Sequence, residues 1–181
     1  MDNQNLINPL KLQFSVGEKA VYPTHGVGTV ETIEIKDIEG TRQEFYVIKI
    51  DATGVRVMIP THSASTVGLR SLIDPKDVEK IFEILRNPTI RRSSMVWNRR
   101  FRALTERLNT GNIFEVSEVL RDLYCIQSNK ELSFSEKKMM KKALALIVFE
   151  VCTACHEESE KIEKKILQTL ELTFPSTTPK H

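Results

Sequence analysis

Val27-Gly-Thr-Val30-Glu-Thr-Ile33-Glu-Ile35 alternates apolar and polar residues, the period of a half-buried β-strand. The segments on either side repeat that character in short pieces. Upstream, Lys19-Ala-Val-Tyr22 is a short apolar run followed by the turn cluster Pro23-Thr-His25-Gly26. Downstream, Asp37-Ile-Glu-Gly40 reads as a turn, Glu44-Phe-Tyr-Val-Ile-Lys-Ile50 as a strand and Asp51-Ala-Thr-Gly54 as another turn. Val55-Arg-Val-Met-Ile59 is a last strand, closed by Pro60. Short strands at this regular spacing predict a small barrel or a strongly bent sheet. Gly26 and Gly28 form no phosphate loop, because neither the full glycine-rich pattern nor a following helix is present. They suit tight turns and bulges.

Near residue 72 the apolar period changes from two to that of a helix. Asp74-Pro75 supplies an N-cap with proline at the first helical position. Val78, Ile81, Phe82 and Leu85 then form one apolar stripe, and Asn87-Pro88 stops it. Residues 89–95 are a polar connection rich in Arg and Ser. A second helix is predicted from Trp97 to Leu108, with Trp97, Phe101, Leu104 and Leu108 on one face and Asn109-Thr-Gly111-Asn as its stop. A third covers Ile113 to Ile126. A fourth starts at Ser133-Phe-Ser135 and runs to about Cys155; read from Ser135, its capping box is only half matched. A fifth covers Ser159 to Leu172. The fold class expected is therefore α+β, a small β-rich module over residues 14–72 and an all-α domain of about five helices over 73–173. Residues 1–13 and 174–181 read as tails, and no internal repeat is found.

Of the 181 residues, 28 % are charged and 40 % hydrophobic, ordinary for a globular protein. The net charge of +2 hides an uneven distribution. Residues 1–60 carry 6 basic and 8 acidic side chains, residues 61–130 carry 12 and 8, and residues 131–181 carry 8 and 8. Positive charge focused in the middle points to a local anionic partner. No apolar run approaches the roughly 20 residues that span a bilayer, and the N-terminal stretch lacks a signal-peptide pattern. With only 3 cysteines and no disulfide framework, the expectation is a cytoplasmic protein.

The densest basic stretch runs from Arg86 through Arg91, Arg92, Arg99, Arg100 and Arg102 to Arg107, with Glu106 its only acid and Trp97, the one tryptophan, inside it. Arginine there can neutralise phosphates, and a large aromatic beside it can stack on a base or wedge between base steps. Spacing alone equally allows Trp97 in a core and the arginines on a solvated helix face. Lys137, Lys138, Lys141 and Lys142 make one basic helix face, either solvated or a second backbone contact. Cys152-Thr-Ala-Cys155-His156 matches a haem-attachment pattern. It lies beside Glu157-Glu158 without an export signal, and neither Cys125 nor His62 has zinc-site spacing to it, so buried free cysteines are expected. His25 has no nucleophile or paired acid in a compatible motif and reads as turn-stabilising. No catalytic constellation appears: the expectation is a non-enzyme with no cofactor, metal or small-molecule substrate.

Phe14-Ser-Val-Gly-Glu-Lys-Ala-Val-Tyr22-Pro23-Thr-His25-Gly26-Val-Gly28 resembles the opening of the CarD/CdnL family of bacterial transcription regulators; transcription-repair coupling factors carry a similar module. Ile59-Pro60, Val67-Gly68-Leu-Arg70, Ile84-Leu85-Arg86, Trp97-Asn-Arg99-Arg100-Phe101, Leu108-Asn-Thr-Gly111-Asn, Val116-Ser-Glu118-Val-Leu-Arg121-Asp122-Leu123 and Leu132-Ser-Phe-Ser-Glu136-Lys-Lys-Met continue it in the family's order, over roughly residues 14–155. The resemblance implies a Tudor-like module that binds the β subunit of RNA polymerase and a helical domain that reaches promoter DNA. It implies a tryptophan wedge, Trp97, in the minor groove at the upstream edge of the melted DNA, with Arg99, Arg100 and Arg102 beside it. Lys138 and Lys142 are the candidate second backbone contact. The polymerase side would include Lys36 and Met58. Met58 stands where the family implies a basic residue, and Arg56, on the same strand face, is the substitute. Promoter DNA and polymerase are thus the implied partners, with the nucleoid reached through polymerase and no membrane involved. A polymerase-binding adaptor that never uses Trp97 on DNA is the rival reading, separated from the first by exposure of the indole. A metal or haem redox protein is a second.

Overall fold

The strand expected around Val27–Ile35 is the long inner strand of a four-stranded antiparallel sheet. The strands are β1 (Lys19–Tyr22), β2 (Gly26–Ile38), β3 (Thr41–Ile50) and β4 (Arg56–Pro60), hydrogen-bonded in that order. The computed structural model describes residues 13–88 and 97–175, the side chain of Trp97 excepted; the connection expected at 89–95 and the tail beyond 175 lie outside them. Alternation in β2 changes phase between Val30 and Ile33, and the sheet absorbs the change with a bulge at Glu31: Val30 pairs with Ile48, but Thr32 pairs with Val47. One extra residue lets Val30 and Ile33 both join the apolar cluster. The turn expected over 37–40 is tighter than its sequence suggests. Ile38 pairs directly with Thr41, leaving Glu39 and Gly40 at φ 52° and 79°. Two positive φ values are the requirement of a type I′ hairpin turn, and Asp37 Oδ1 accepts from Gly40 N at 2.9 Å.

The sheet curls around Phe14, Tyr46, Ile48, Ile50 and Leu69. Tyr46 is fully buried, so its hydroxyl requires partners. It accepts from the backbone N–H of Gln13 at 2.9 Å and of Phe14 at 3.2 Å, which seals the start of the described chain against the sheet.

Five helices follow: α1 (Val78–Arg86), α2 (Trp97–Asn109), α3 (Ile113–Asn129), α4 (Phe134–Cys155) and α5 (Ser159–Thr173). Asp74 caps the entry to α1 as expected, accepting from Lys76 N at 2.9 Å, but a 3-10 turn over Pro75–Asp77 precedes the helix proper. The start of α4 corrects the half-matched capping box. Its N-cap is Ser133, whose Oγ accepts from Glu136 N at 3.3 Å while the Glu136 carboxylate accepts from Ser133 N at 3.0 Å. The full Ser-x-x-Glu box lay two residues upstream of where it was read. His156, in the left-handed region at φ 54°, ends α4. Leu104, Leu120, Leu123, Ile147 and Ile166 centre the helical core, a cluster separate from that of the sheet.

The two modules meet at β2 and α4. Arg70, bridged to Val21 across the sheet edge, sends its guanidinium to Glu150 of α4, NH1 to Oε1 at 2.6 Å and NH2 to Oε2 at 2.9 Å. Ile73 N donates to the same Oε1 at 3.0 Å, and Arg70 also donates to the Gly111 carbonyl from Nε at 3.1 Å and NH2 at 2.6 Å. Glu150 is 4 % exposed, so this charge is desolvated and held by three donors. Beside it Pro23 sits so close that a Cβ on Gly111 would lie 2.9 Å from Pro23 Cα.

Candidate nucleic-acid interface

The helix that begins at Trp97 has little apolar surface to hold it. Leu104 and Leu108 are buried and Phe101 is half-buried against the helical core. Charge supplies the rest. Arg100 NH2 donates to Glu136 Oε1 at 2.9 Å. Arg107 donates to Glu118 at 3.1 Å and to Asp122 at 3.0 Å, and Asp122 also receives the buried Arg121 guanidinium at 2.7 Å. Arg100 and Arg107 are seven residues apart and share the face of Leu104 and Leu108, as helical geometry requires. Arg99 and Arg102 fall on the other side, are exposed, and make no ion pair among the described residues. The dense arginine run therefore divides: two guanidinium groups of α2 are spent on neighbouring helices and two face solvent. Arg100, placed by sequence among the DNA contacts, is drawn inward and bound to an acid. Arg91 and Arg92 lie outside the described residues, as does the exposure of the Trp97 indole.

Glu136 joins this surface to the first turn of α4. Burial pushes its carboxyl pKa up. The hydrogen bonds from Ser133 N, Ser133 Oγ and Arg100, with the Arg100 charge, outweigh burial and hold it below the ordinary carboxylate range. Glu136 is thus an anion when it meets Arg100. Opposite Glu136 on the helix wheel is Phe134, 84 % exposed and missed by the sequence reading. Its signal was available: it lies two residues from Glu136 and four before Lys138, hence on the face turned from the core. Phe134, Lys138 and Lys141 form one exposed stripe with Lys142 adjacent, while Lys137 pairs with Glu131 at 2.7 Å. This exposed aromatic among lysines lies on the side of α4 turned away from the Arg100–Glu136 contact.

The polymerase-side candidates share a different face. By register Thr32, Val47 and Met58 form one row across the sheet, which places Lys36, Arg56 and Met58 on its outer side. Met58 is exposed and receives Lys36 Nζ at 3.4 Å; Arg56 pairs with Glu31 at 2.5 Å. His25 serves its turn, its Nδ1 3.0 Å from the Pro23 carbonyl and its ring stacked on Tyr22 at 5.0 Å. Cys125 is buried, and Cys152 and Cys155 are half-buried. Among the described residues no three His, Cys, Asp or Glu side chains are grouped to hold a metal ion, and no helix is long and apolar enough to cross a membrane.

Comparison with known proteins reaches both modules. Residues 14–73 match the CarD-like/TRCF RID domain, and residues 80–167 match the domain described as CarD, C-terminal domain. YdeB, a candidate transcription factor of Bacillus subtilis (strain 168), is 34 % identical over 138 residues, covering 76 % of this chain and 90 % of that protein. The solved structure of CdnLNt from Myxoccoccus xanthus is 50 % identical over 33 % of this chain and 84 % of its own, with a TM-score of 0.29.

Proposed function

Because this chain belongs to the CarD family, whose members are transcription regulators rather than enzymes, we propose that it binds the RNA polymerase β subunit and stabilises the promoter open complex. The outer sheet face with Lys36, Arg56 and Met58 is the polymerase contact. Trp97, at the first position of α2, is the minor-groove wedge at the upstream edge of the melted DNA. Arg99 and Arg102 contact phosphates, and Lys138 and Lys142, with the exposed Phe134 beside them, are a second backbone contact on α4. The orientation of α2 carries the phosphate-contact part of this reading: its ion pairs consume Arg100 and Arg107 and leave Arg99 and Arg102 on the solvent side, unpaired among the described residues.

The physical case is differential affinity. Opening a promoter unstacks bases, at a few kcal/mol per step. A protein that binds only the opened form lowers that cost by its preference for it. An aromatic ring placed where bases unstack returns about 1–3 kcal/mol per base, without sequence preference. Phosphate contacts position the ring, and promoter selectivity follows from tethering to polymerase.

The test is open-complex lifetime on a weakly melting promoter with bacterial RNA polymerase alone, with the protein, and with Trp97→Ala. The expected result is a longer lifetime that Trp97→Ala abolishes while polymerase binding is retained. Equal loss of both activities refutes the division of labour. No effect from wild-type protein bound to polymerase leaves the adaptor role instead.

A further inference from the structure

We infer that Glu136 is a positioning residue for the DNA-facing helix, fixing where the start of α2, and with it Trp97, Arg99 and Arg102, is held. The inference rests on the DNA-contact reading above and adds to it a residue that touches no DNA. Oε2 of Glu136 accepts from Ser133 N at 3.0 Å and Ser133 Oγ at 2.8 Å, and Oε1 accepts from Arg100 NH2 at 2.9 Å. One carboxylate thus closes the capping box of α4 and grips α2 three residues after Trp97, about one helical turn.

The grip matters because of what else holds that end. The C-terminal half of α2 has Leu104, Leu108 and the Arg107 pairs with Glu118 and Asp122. In the first turn and a half the described anchors are the half-buried Phe101 and the Arg100–Glu136 pair. Glu136 is 3 % exposed, so the pair sits in a medium where a charged contact is directional and its loss is felt. Arg100 Nε is buried without a hydrogen-bond partner among the described residues, a cost an arginine would escape by swinging outward beside Arg99. It stays because Glu136, already fixed by Ser133, is an anion it can reach.

The experiment uses the full chain with polymerase on a weakly melting promoter and compares Glu136→Gln, Ser133→Ala and Trp97→Ala. Glu136→Gln keeps an acceptor for Ser133 and removes the charge that holds Arg100, whereas Ser133→Ala weakens the cap and leaves the Arg100 pair. Both lower the thermal midpoint. Only Glu136→Gln is expected to shorten the open-complex lifetime, by about tenfold, well inside what a misplaced contact group can lose. It should also shift the emission of Trp97, the single tryptophan and therefore an unambiguous probe. The salt dependence of DNA binding should keep its slope, since no phosphate contact is removed. Arg100→Gln breaks the same pair from the other side, is expected to match Glu136→Gln in lifetime and emission, and decides the matter if Glu136→Gln does not fold. Equal lifetime losses for Glu136→Gln and Ser133→Ala, or wild-type lifetime and emission in Glu136→Gln, overturn the inference. If Trp97→Ala is also without effect, the DNA-contact reading falls with it; if Trp97→Ala is impaired, the positioning role alone falls.

Discussion

Removing Arg70 should cost the protein more than any single side chain on its surface. Its guanidinium makes two charged hydrogen bonds to Glu150, and two more to the Gly111 carbonyl, so one side chain ties the sheet to α4 and to the α2–α3 connection. In Arg70→Met the Glu150 carboxylate, 4 % exposed, keeps only the Ile73 N–H as a partner among the described residues. Breaking a buried pair from one side costs about 3–5 kcal/mol. The Arg70 side chain is 31 % exposed, which lets water reach the site and puts the expected loss near the lower end, about 3 kcal/mol. Glu150→Gln keeps the shape and an acceptor but loses the charge, for about 1.5–3 kcal/mol. The double variant Arg70→Met/Glu150→Gln should lose less than the sum, with a coupling of about 1–3 kcal/mol. Urea unfolding of the four proteins gives the cycle directly. A coupling below about 0.5 kcal/mol, the level of independent sites, would refute the claim that this pair fastens the modules.

Other expectations follow from the same geometry. Gly111→Ala meets both a positive φ of 70° and Pro23 Cα at 2.9 Å, whereas Gly54→Ala meets φ 71° with open space around it. Gly54→Ala should cost about 1–2 kcal/mol, and Gly111→Ala about 1–3 kcal/mol more from overpacking, read as urea midpoints. The folded pKa of Glu136 is depressed, so its stabilisation is present above the ordinary carboxylate value and is lost as pH falls through the lower folded value. Thermal midpoints should hold from neutrality to about pH 5 and fall below it, and Glu136→Gln should flatten the acid limb; an unchanged limb would show that other carboxylates govern it. Charge reversal at Lys138 and Lys142 should reduce the slope of log affinity for DNA against log salt by about 2. An unchanged slope would assign that face to solvent.

The sequence made the division of the fold plain, because the apolar period switches from two to 3.6 near residue 72 and each helix carries its own start and stop residues. Where it was silent, the missing information was long-range. The helical period puts Arg100 beside the Leu104–Leu108 face and Arg99 away from it, but nothing local says that Arg100 meets Glu136, 36 residues away. Arg70 likewise looks like one more charge in a turn, since its partner lies 80 residues on. The β2 bulge was different. The phase change between Val30 and Ile33 is visible in the sequence, but only the pairing with β3 shows that Glu31 is the residue set aside. The capping box at Ser133 and the exposed Phe134 were both legible and passed over, because that helix start was read from Ser135.

The balance of charge on α2 bears on how such a protein would choose its DNA. Once Arg100 and Arg107 are neutralised by Glu136, Glu118 and Asp122, the outward charges of the helix are Arg99 and Arg102 against the exposed Glu106. With Lys138 and Lys142 of α4 that makes about four phosphate contacts, which give a modest salt dependence and weak binding to duplex at large. A wedge on so small an electrostatic base would find little DNA by itself. Joined through Arg70–Glu150 and the Pro23–Gly111 contact to the sheet proposed to dock on polymerase, it would act at the effective concentration that the polymerase sets. A stiff junction then serves better than a flexible linker, because the orientation of the wedge is fixed before the DNA opens and need not be ordered when it does. The same reasoning makes the junction variants informative in function as well as stability: Arg70→Met should leave the sheet able to bind polymerase yet shorten the open-complex lifetime. An unchanged lifetime would mean that a stiff junction is not what aims the wedge, and loss of both together would mean that the sheet does not keep its polymerase-binding face without the junction.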